Sequence, residues 1–364
     1  MRDGRDYIAT SAVRMPRVVQ DGDFRIAVAG LAHGHVFSLV GGLLEAGATL
    51  DCVYDPEQSK VDAFIERFGG QARAVSGLED ILSDERISLV VNCVRPDLRA
   101  DVSILLLEAG KDVFSDKPGF LKVEDYQRIK DAISASGKHY LIYFSEHFHS
   151  EGMIYAQKLV SSGQIGKVVH YEGFGPHRLN PTTRPQWFFD VEKNGSVLLD
   201  LGCHLVEQFM SLTGSKDVEI RLARVSNLCH PGFPGFFDFG EMVLQTPEGV
   251  SGYIRVDWLT PDGLSVWGDG RAFITGDAGY IEARKYLDVG KDAEGDNVIL
   301  VNNETEEMIR TKDKVGFDFF GKFILDCIGG RFTATDYDLS LEAMRISAVA
   351  EQMALALNPP AVHS

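Results

Sequence analysis

From Phe24 onward the chain alternates short uninterrupted apolar runs with longer segments whose apolar positions recur every three or four residues. The runs at 25–29, 49–54, 88–93, 112–114 and 140–144 lack the in/out alternation of a half-exposed strand, so they read as strands buried on both faces. Between them, 36–46, 60–68, 78–83, 99–109 and 123–136 carry amphipathic helical spacing. Strands joined in series by helices specify a parallel sheet covered on both sides, and a doubly wound α/β domain is expected over 24–148. The character then changes. A helix at 153–161 stops at Gly163, a strand follows at 167–173, and a loop rich in Pro, Arg and Trp leads to a helix at 196–212 ended by Thr213-Gly214. The segments 218–227, 240–245, 250–258, 271–275 and 279–282 are β-branched or aromatic with Gly, Pro and Asp breaks, and a last helix runs from about 339 to 357. The pattern predicts a second, α+β domain over 149–364 with a largely antiparallel, open-faced sheet, and an arm over 1–23.

Two places in this scheme carry candidate chemistry. Asp116-Lys117-Pro118 follows the apolar strand that includes Val113 and Phe114, which brings a lysine to the C-terminal strand ends where open α/β sheets bind ligands. Pro118 ends the pairing there. On the 196–212 helix, Asp200 and His204 lie four apart, one turn above each other, beside an apolar stripe of Leu198, Leu201, Leu205 and Phe209. A lysine after a strand is usually a solvated turn residue, and an Asp/His pair at this spacing is usually a polar helix face. Together the two suit the movement of a proton and a hydride.

The first strand ends in Gly30-Leu31-Ala32-His33-Gly34-His35, where a dinucleotide-binding domain carries G-x-G-x-x-G at the start of its first helix. The first glycine is present, but Ala32 and His35 stand in the second and third glycine positions. Ala32 and Gly34 remain small enough for close approach of a pyrophosphate to helix N–H groups. Asp55 closes the second strand, where a carboxylate binds the adenine ribose hydroxyls and repels a 2′-phosphate, so NAD is expected in preference to NADP. The bland reading of Asp55 is a turn residue before Pro56.

These residues resemble the Gfo/Idh/MocA oxidoreductases, the family of glucose–fructose oxidoreductase and inositol 2-dehydrogenase. The resemblance rests on Gly110-Lys111-Asp112-Val113, Asp116-Lys117-Pro118, Gly163-Gln164-Ile165-Gly166, Trp187-x-x-Asp190 and the run from Gly195 to His204, and it extends from about Phe24 to the final helix. It implies an NAD(P)-dependent dehydrogenase acting on CH–OH groups of a sugar, polyol or cyclitol. Lys117 would lie beside the nicotinamide and donate to the substrate oxygen, while Asp200 and His204 hold the substrate and His204 accepts its proton. The cofactor would lie against Gly30, Ala32, His33, Gly34, His35, Asp55, Arg95, Pro96, Asp116 and Lys117, and His147 and Trp187 would join Asp200 and His204 around the substrate. The chain departs from the family pattern at Ala32, His35, Arg95-Pro96-Asp97, Asp116 and Ser145-Glu146-His147. Those changes point to a substrate unlike that of the best-known members.

Composition narrows the alternatives. A formal charge of −17 repels polyanions and argues against nucleic acid and anionic membranes as partners. Five scattered cysteines without a CxxC read as free thiols of a cytoplasmic protein rather than a zinc site, and no metal is expected. There is no signal-peptide core in residues 1–22 and no apolar run of membrane-spanning length. The pairs His33/His35 and His147/His149 keep a metal-dependent hydrolase in view, but that requires an eight-fold β/α repeat, which the second half lacks. A non-catalytic dinucleotide-bound sensor is the third reading. A homodimer or homotetramer is expected through the open sheet face, with Tyr253 or Ile254 and Trp258 on it.

Overall fold

The computed structural model describes residues 10–291 and 295–359, so residues 1–9 of the expected arm lie outside the described residues. Residues 10–23 lie along the protein, with Ser11 Oγ donating to Glu151 and Val18 N donating to the Ala46 carbonyl.

The first half runs β1 (Arg25–Ala29), α1 (His35–Glu45), β2 (Thr49–Tyr54), α2 (Gln58–Arg67), β3 (Arg73–Ala74), α3 (Leu78–Leu82), β4 (Leu89–Asn92), α4 (Arg99–Glu108), β5 (Asp112–Ser115), α5 (Val123–Ser136) and β6 (Tyr140–Ile142). All six strands are parallel, in the order β3-β2-β1-β4-β5-β6. β4 and β5 are buried at every position, which is why their sequences do not alternate. The winding reverses between β1 and β4, so a crevice opens at the carboxyl ends of those strands.

The second half continues with α6 (Ser145–Phe148), α7 (Glu151–Ser161), β7 (Val168–Pro176), α8 (Val191–Asn194), α9 (Cys203–Thr213), β8 (Glu219–Ser226), β9 (Phe239–Gln245), β10 (Ser251–Asp257), β11 (Arg271–Gly276), β12 (Gly279–Arg284), β13 (Asn297–Asn302), β14 (Glu306–Arg310), α10 (Phe319–Gly329) and α11 (Tyr337–Leu357). Its eight strands lie in the order β14-β13-β12-β11-β7-β10-β9-β8, antiparallel except for the β7/β10 pair. On β10, Ile254 and Val256 face the helices while Tyr253 and Arg255 are partly exposed on the other side. That open face carries an aromatic cluster in which Phe174 stands 6.3 Å from Tyr253 and 6.1 Å from Phe273. Trp258, expected on this face, is instead 5% exposed and turned inward against His177 and Phe188, because the two-residue alternation puts it on the side of Ile254 and Val256.

Six elements escaped the sequence pattern: the short β3, α6 and α8, and the longer β13, β14 and α10. β13 is a four-residue apolar run, and β14 shows mostly exposed positions. In α10, Phe319, Phe320 and Phe323 return to the first half and gather around Phe114 of β5, with ring centroids 5.1–6.3 Å apart. Close approach is possible because α1 carries Gly42, where a Cβ would meet the Phe320 ring at 2.4 Å. The expected helix 196–212 is also not uniform. Residues Leu198–Gly202 form a wide π-helical turn, and only from Cys203 is the winding α-helical, so Asp200 and His204 do not stack at strict helical spacing.

α11 packs against α9, β8, α5 and β6, and its Glu351 accepts hydrogen bonds from Ser196 N and Oγ at the start of the π turn. Burial pushes the Glu351 carboxyl up to about 7, and burial does the same to Asp296. Both groups therefore hold a proton in the folded chain that the unfolded chain gives up near pH 4–4.5, and the stability they allow falls as pH rises from there through about 7. Thermal unfolding should accordingly occur at lower temperature at about pH 8 than at about pH 5, and Glu351→Gln should shrink the difference by roughly 2–4 °C for each kcal/mol of linkage removed. Equal pH dependence in the variant and the parent would contradict this role.

Candidate active site

The loop after β5 is fixed by a buried ion pair. Arg99, at the start of α4 and 1% exposed, donates from Nη2 to Asp116 Oδ2 at 3.1 Å, from Nη1 to the carbonyls of Lys117 and Pro118 at 2.5 and 3.0 Å, and from Nε to the Val94 carbonyl at 2.9 Å. Asp116 Oδ1 also accepts from Lys117 N and pairs with His35 Nδ1, each within 2.9 Å. Burial alone would raise the Asp116 pKa, but the Arg99 charge, the charge and hydrogen bond of His35 and the Lys117 charge together outweigh it and bring the group to about 2. Asp116 is therefore a fixed anion that aims the next residue.

That residue, Lys117, points at the π turn. Its Nζ lies 2.5 Å from Asp200 Oδ1 and 2.7 Å from the Asp200 carbonyl, although 83 residues separate the two. Burial would raise the Asp200 pKa, yet the Lys117 ammonium reverses the direction and keeps it below the ordinary carboxylate value. His204 is 2% exposed, and its Nδ1 has no protein partner among the described residues. Burial, then the Lys117 charge, hold its pKa well below 6.5, so the imidazole is neutral.

Lys117 and His204 both line a partly enclosed cavity, whose far wall comes from the large sheet. β7 and β10 are parallel, and β12 runs the same way because it is antiparallel to β11, itself antiparallel to β7. Their carboxyl ends supply His177 and Arg178, Trp258, and Tyr286. Lys285, wholly buried, pairs with Glu146 of α6, and His177 Nε2 lies 3.8 Å from Glu146 Oε1. Burial lowers the His177 pKa to about 4 despite the Glu146 charge.

The crevice leading to this cavity is lined by Leu31, Ala32, His33 and Gly34, by Glu57 and Lys60, and by residues 182–185. Gly30 has φ of +85°, and a Cβ there would meet Val94 N at 2.5 Å, so the first glycine of the fingerprint is required even where the others are replaced. Both oxygens of Asp55 accept backbone amides, from Leu31 at 2.6 Å and from Glu57 at 2.9 Å, which ties the second strand end to the glycine loop. His33 and His35 touch edge to face at 4.1 Å, and His35 N donates to His33 Nδ1. Arg95 is held by both oxygens of Asp97, and Pro96 is buried beside it at the start of a short 3₁₀ turn.

Three expected substrate contacts do not line the cavity, and Asp200, whose carboxylate is taken up by Lys117, is one of them. The short helix α6 turns the His147 ring onto Glu207 of α9, with Nδ1 2.9 Å from Oε1, and presents Glu146 to the cavity instead. Trp187 packs on Phe188, 6.4 Å between centroids, and lies outside both linings. Arg99, Glu146, His177, Arg178 and Lys285 were missed; only the preference of buried ions for partners hints at them in the sequence. The metal-hydrolase alternative also falls. The His147/His149 pair diverges, His147 to Glu207 and His149 to the Tyr143 hydroxyl, and the sheet is an open one rather than a barrel. His33, His35 and Asp116 do bring possible ligand atoms within 4.8 Å of one another. Arg99 already neutralises Asp116, however, and burial together with the charges of Lys117, Arg184 and Arg99 lowers the His33 pKa, a field that repels a cation.

The comparisons with known proteins agree with this architecture. Residues 24–144 match the family model described as "Oxidoreductase family, NAD-binding Rossmann fold", and residues 153–282 match "GFO/IDH/MocA C-terminal domain". A crystal structure from Erwinia carotovora atroseptica SCRI1043 superposes with a TM-score of 0.88 at 35% identity, covering 91% of this chain and 99% of that one. Two Bacillus subtilis (strain 168) enzymes are similar. The scyllo-inositol 2-dehydrogenase named for NAD(+) is 24% identical over 71% of this chain and 72% of its own length. The one named for NADP(+) is 26% identical over 48% and 49%. The chain spans 38% and 66% of the length of the first two curated relatives it matches.

Proposed function

Because this chain belongs to the Gfo/Idh/MocA family of NAD-binding oxidoreductases, we propose that it transfers a hydride between a nicotinamide dinucleotide and a secondary alcohol or ketone of a sugar, polyol or cyclitol derivative. The observation that carries this reading is the convergence of Lys117, Asp200 and a neutral His204 where the crevice meets the cavity. The dinucleotide, when bound, accepts or supplies the hydride. This chain's residues orient the alcohol and manage its proton. Lys117, held by Asp200, is a fixed cation that favours the developing alkoxide, and His204 Nδ1, left without a protein partner, accepts the hydroxyl proton.

The crevice suits a dinucleotide. Gly30 to Gly34 and the first turn of α1 supply close-approaching backbone and N–H groups for a pyrophosphate. The Asp55 oxygens keep a second lone pair each after accepting Leu31 and Glu57 amides, so a fixed carboxylate remains for ribose hydroxyls. Lys60, the nearby cation, is paired with Glu57 at 2.6 Å. Those charges favour NAD over NADP, a choice on which the two Bacillus relatives differ.

We further propose a homodimer or homotetramer formed through the open sheet face, where Phe174, Tyr253 and Phe273 await burial. Among the described residues no helix is long and apolar enough to cross a membrane. Unpaired, buried Cys52, Cys93 and Cys203 support a cytoplasmic location.

NADH should bind more tightly than NADPH in a direct titration, and the reverse order would remove Asp55 from its role. Lys117→Ala and His204→Ala should each lower kcat by roughly 10²-fold or more with little change in cofactor affinity. Since a base acts when deprotonated, the acid limb of kcat/KM should lie below the ordinary histidine value of 6.5, following the lowered His204 pKa. Full turnover by His204→Ala would end its assignment as proton acceptor. Sedimentation should give a species of at least two chains at micromolar concentration, and Phe273→Glu should dissociate it; a parent that sediments as a monomer would refute the interface.

A further inference from the structure

Three carboxylates are buried around the cavity, and each already has its own cation: Asp116 with Arg99, Asp200 with Lys117, and Glu146 with Lys285. Arg178 has no such match. It follows the end of β7, is 3% exposed and lines the cavity. Its Nη2 is held by the carbonyls of Pro261 and Leu264 at 3.0 and 2.6 Å, with that of Asp262 at 3.4 Å. These groups fix the guanidinium in place without supplying negative charge. The nearest carboxylate, Asp262, lies 3.5 Å from Nε with its own side chain 83% exposed, and neither Nε nor Nη1 makes a hydrogen bond among the described residues.

A buried guanidinium with unmet donors is expensive unless a ligand completes it. Beside Arg178 stand aromatic rings packed at a tilt, with His177 4.3 Å and Tyr286 4.4 Å from Trp267. Such a wall suits the apolar face of a sugar ring, and the guanidinium then marks where a polar substituent must project. Bulk composition does not account for a cation waiting here, since the chain carries a net charge of −17.

We propose that the substrate of this site is an acid, a uronate or aldonate whose carboxylate is bound by Nη1 of Arg178, rather than a neutral polyol. A planar carboxylate is the natural partner of a planar guanidinium, and a charge-assisted hydrogen bond in a buried site is among the stronger single contacts available for specificity. The inference rests on the proposed oxidoreductase site, but it is tested by binding alone.

The full chain with NAD(+) is titrated by calorimetry with matched pairs: glucuronate and glucose, galacturonate and galactose, gluconate and glucitol, with glucose 6-phosphate as an additional arm. At least one acid should bind about 10- to 100-fold more tightly than its neutral partner, the range expected for a charge-assisted bond. Arg178→Gln should abolish that preference. If Arg178→Gln fails to fold, Arg178→Lys, which keeps a donor for the loop carbonyls, should reduce the preference at least severalfold. The proposal is overturned if neutral members bind as well as acids, if only the phosphate binds, if no acid binds, or if the preference survives in the variant. An Arg178-dependent acid that binds without reduction of NAD(+) would leave this inference standing and sink the hydride-transfer reading. Oxidation of neutral cyclitols with acids ignored would do the opposite.

Discussion

The site depends on a single buried ion pair, Arg99 with Asp116. Four backbone or side-chain oxygens from two strand-end segments converge on one guanidinium: Val94 after β4, and Asp116, Lys117 and Pro118 after β5. Removing either partner would leave an uncompensated charge in the interior. Because Asp116 also accepts His35 and the Lys117 amide, the glycine loop and the lysine share one anchor, and the position of the cation over the cavity is set from beneath rather than by its own packing.

The first half of the fold was legible because a parallel sheet buried on both faces leaves unbroken apolar runs, and helices between them leave a different period. β13, β14 and α10 were not, since four apolar residues fit either structure and α10 earns its place only through a tertiary contact with Phe114. Lys117, Asp200 and His204 could be read because a strand end and a helix stop both announce themselves. The opposite wall could not. Glu146 meets Lys285 across 139 residues, and no local pattern encodes that pairing. The exchange of His147 for Glu146 has a simple cause: the expectation for His147 rests on the family pattern alone, and one turn of helix at α6 turns its ring to Glu207 while Glu146 lines the cavity.

The electrostatic character of the cavity follows from burial more than from residue type. His33, His177 and His204 are all displaced toward the neutral form, with desolvation the largest cause in each. Buried carboxylates paired with a cation remain ionised, while burial outweighs the other contributions at Glu351 and Asp296 and keeps them protonated at acidic pH. The same chemistry thus gives charged pairs and neutral imidazoles around one cavity.

Sequence order and mechanical order differ in this chain. α11, the last described helix, leans on α9 and the π turn on one side and on α5 and β6 on the other, so it straddles the seam between the two sheets like a keel. A hinge between the halves would have to strip that helix from one of them, and α10 with it from Phe114. The two sheets thus share α10 and α11 like planks of one hull, and the second half adds residues 182–185 to the border of the crevice.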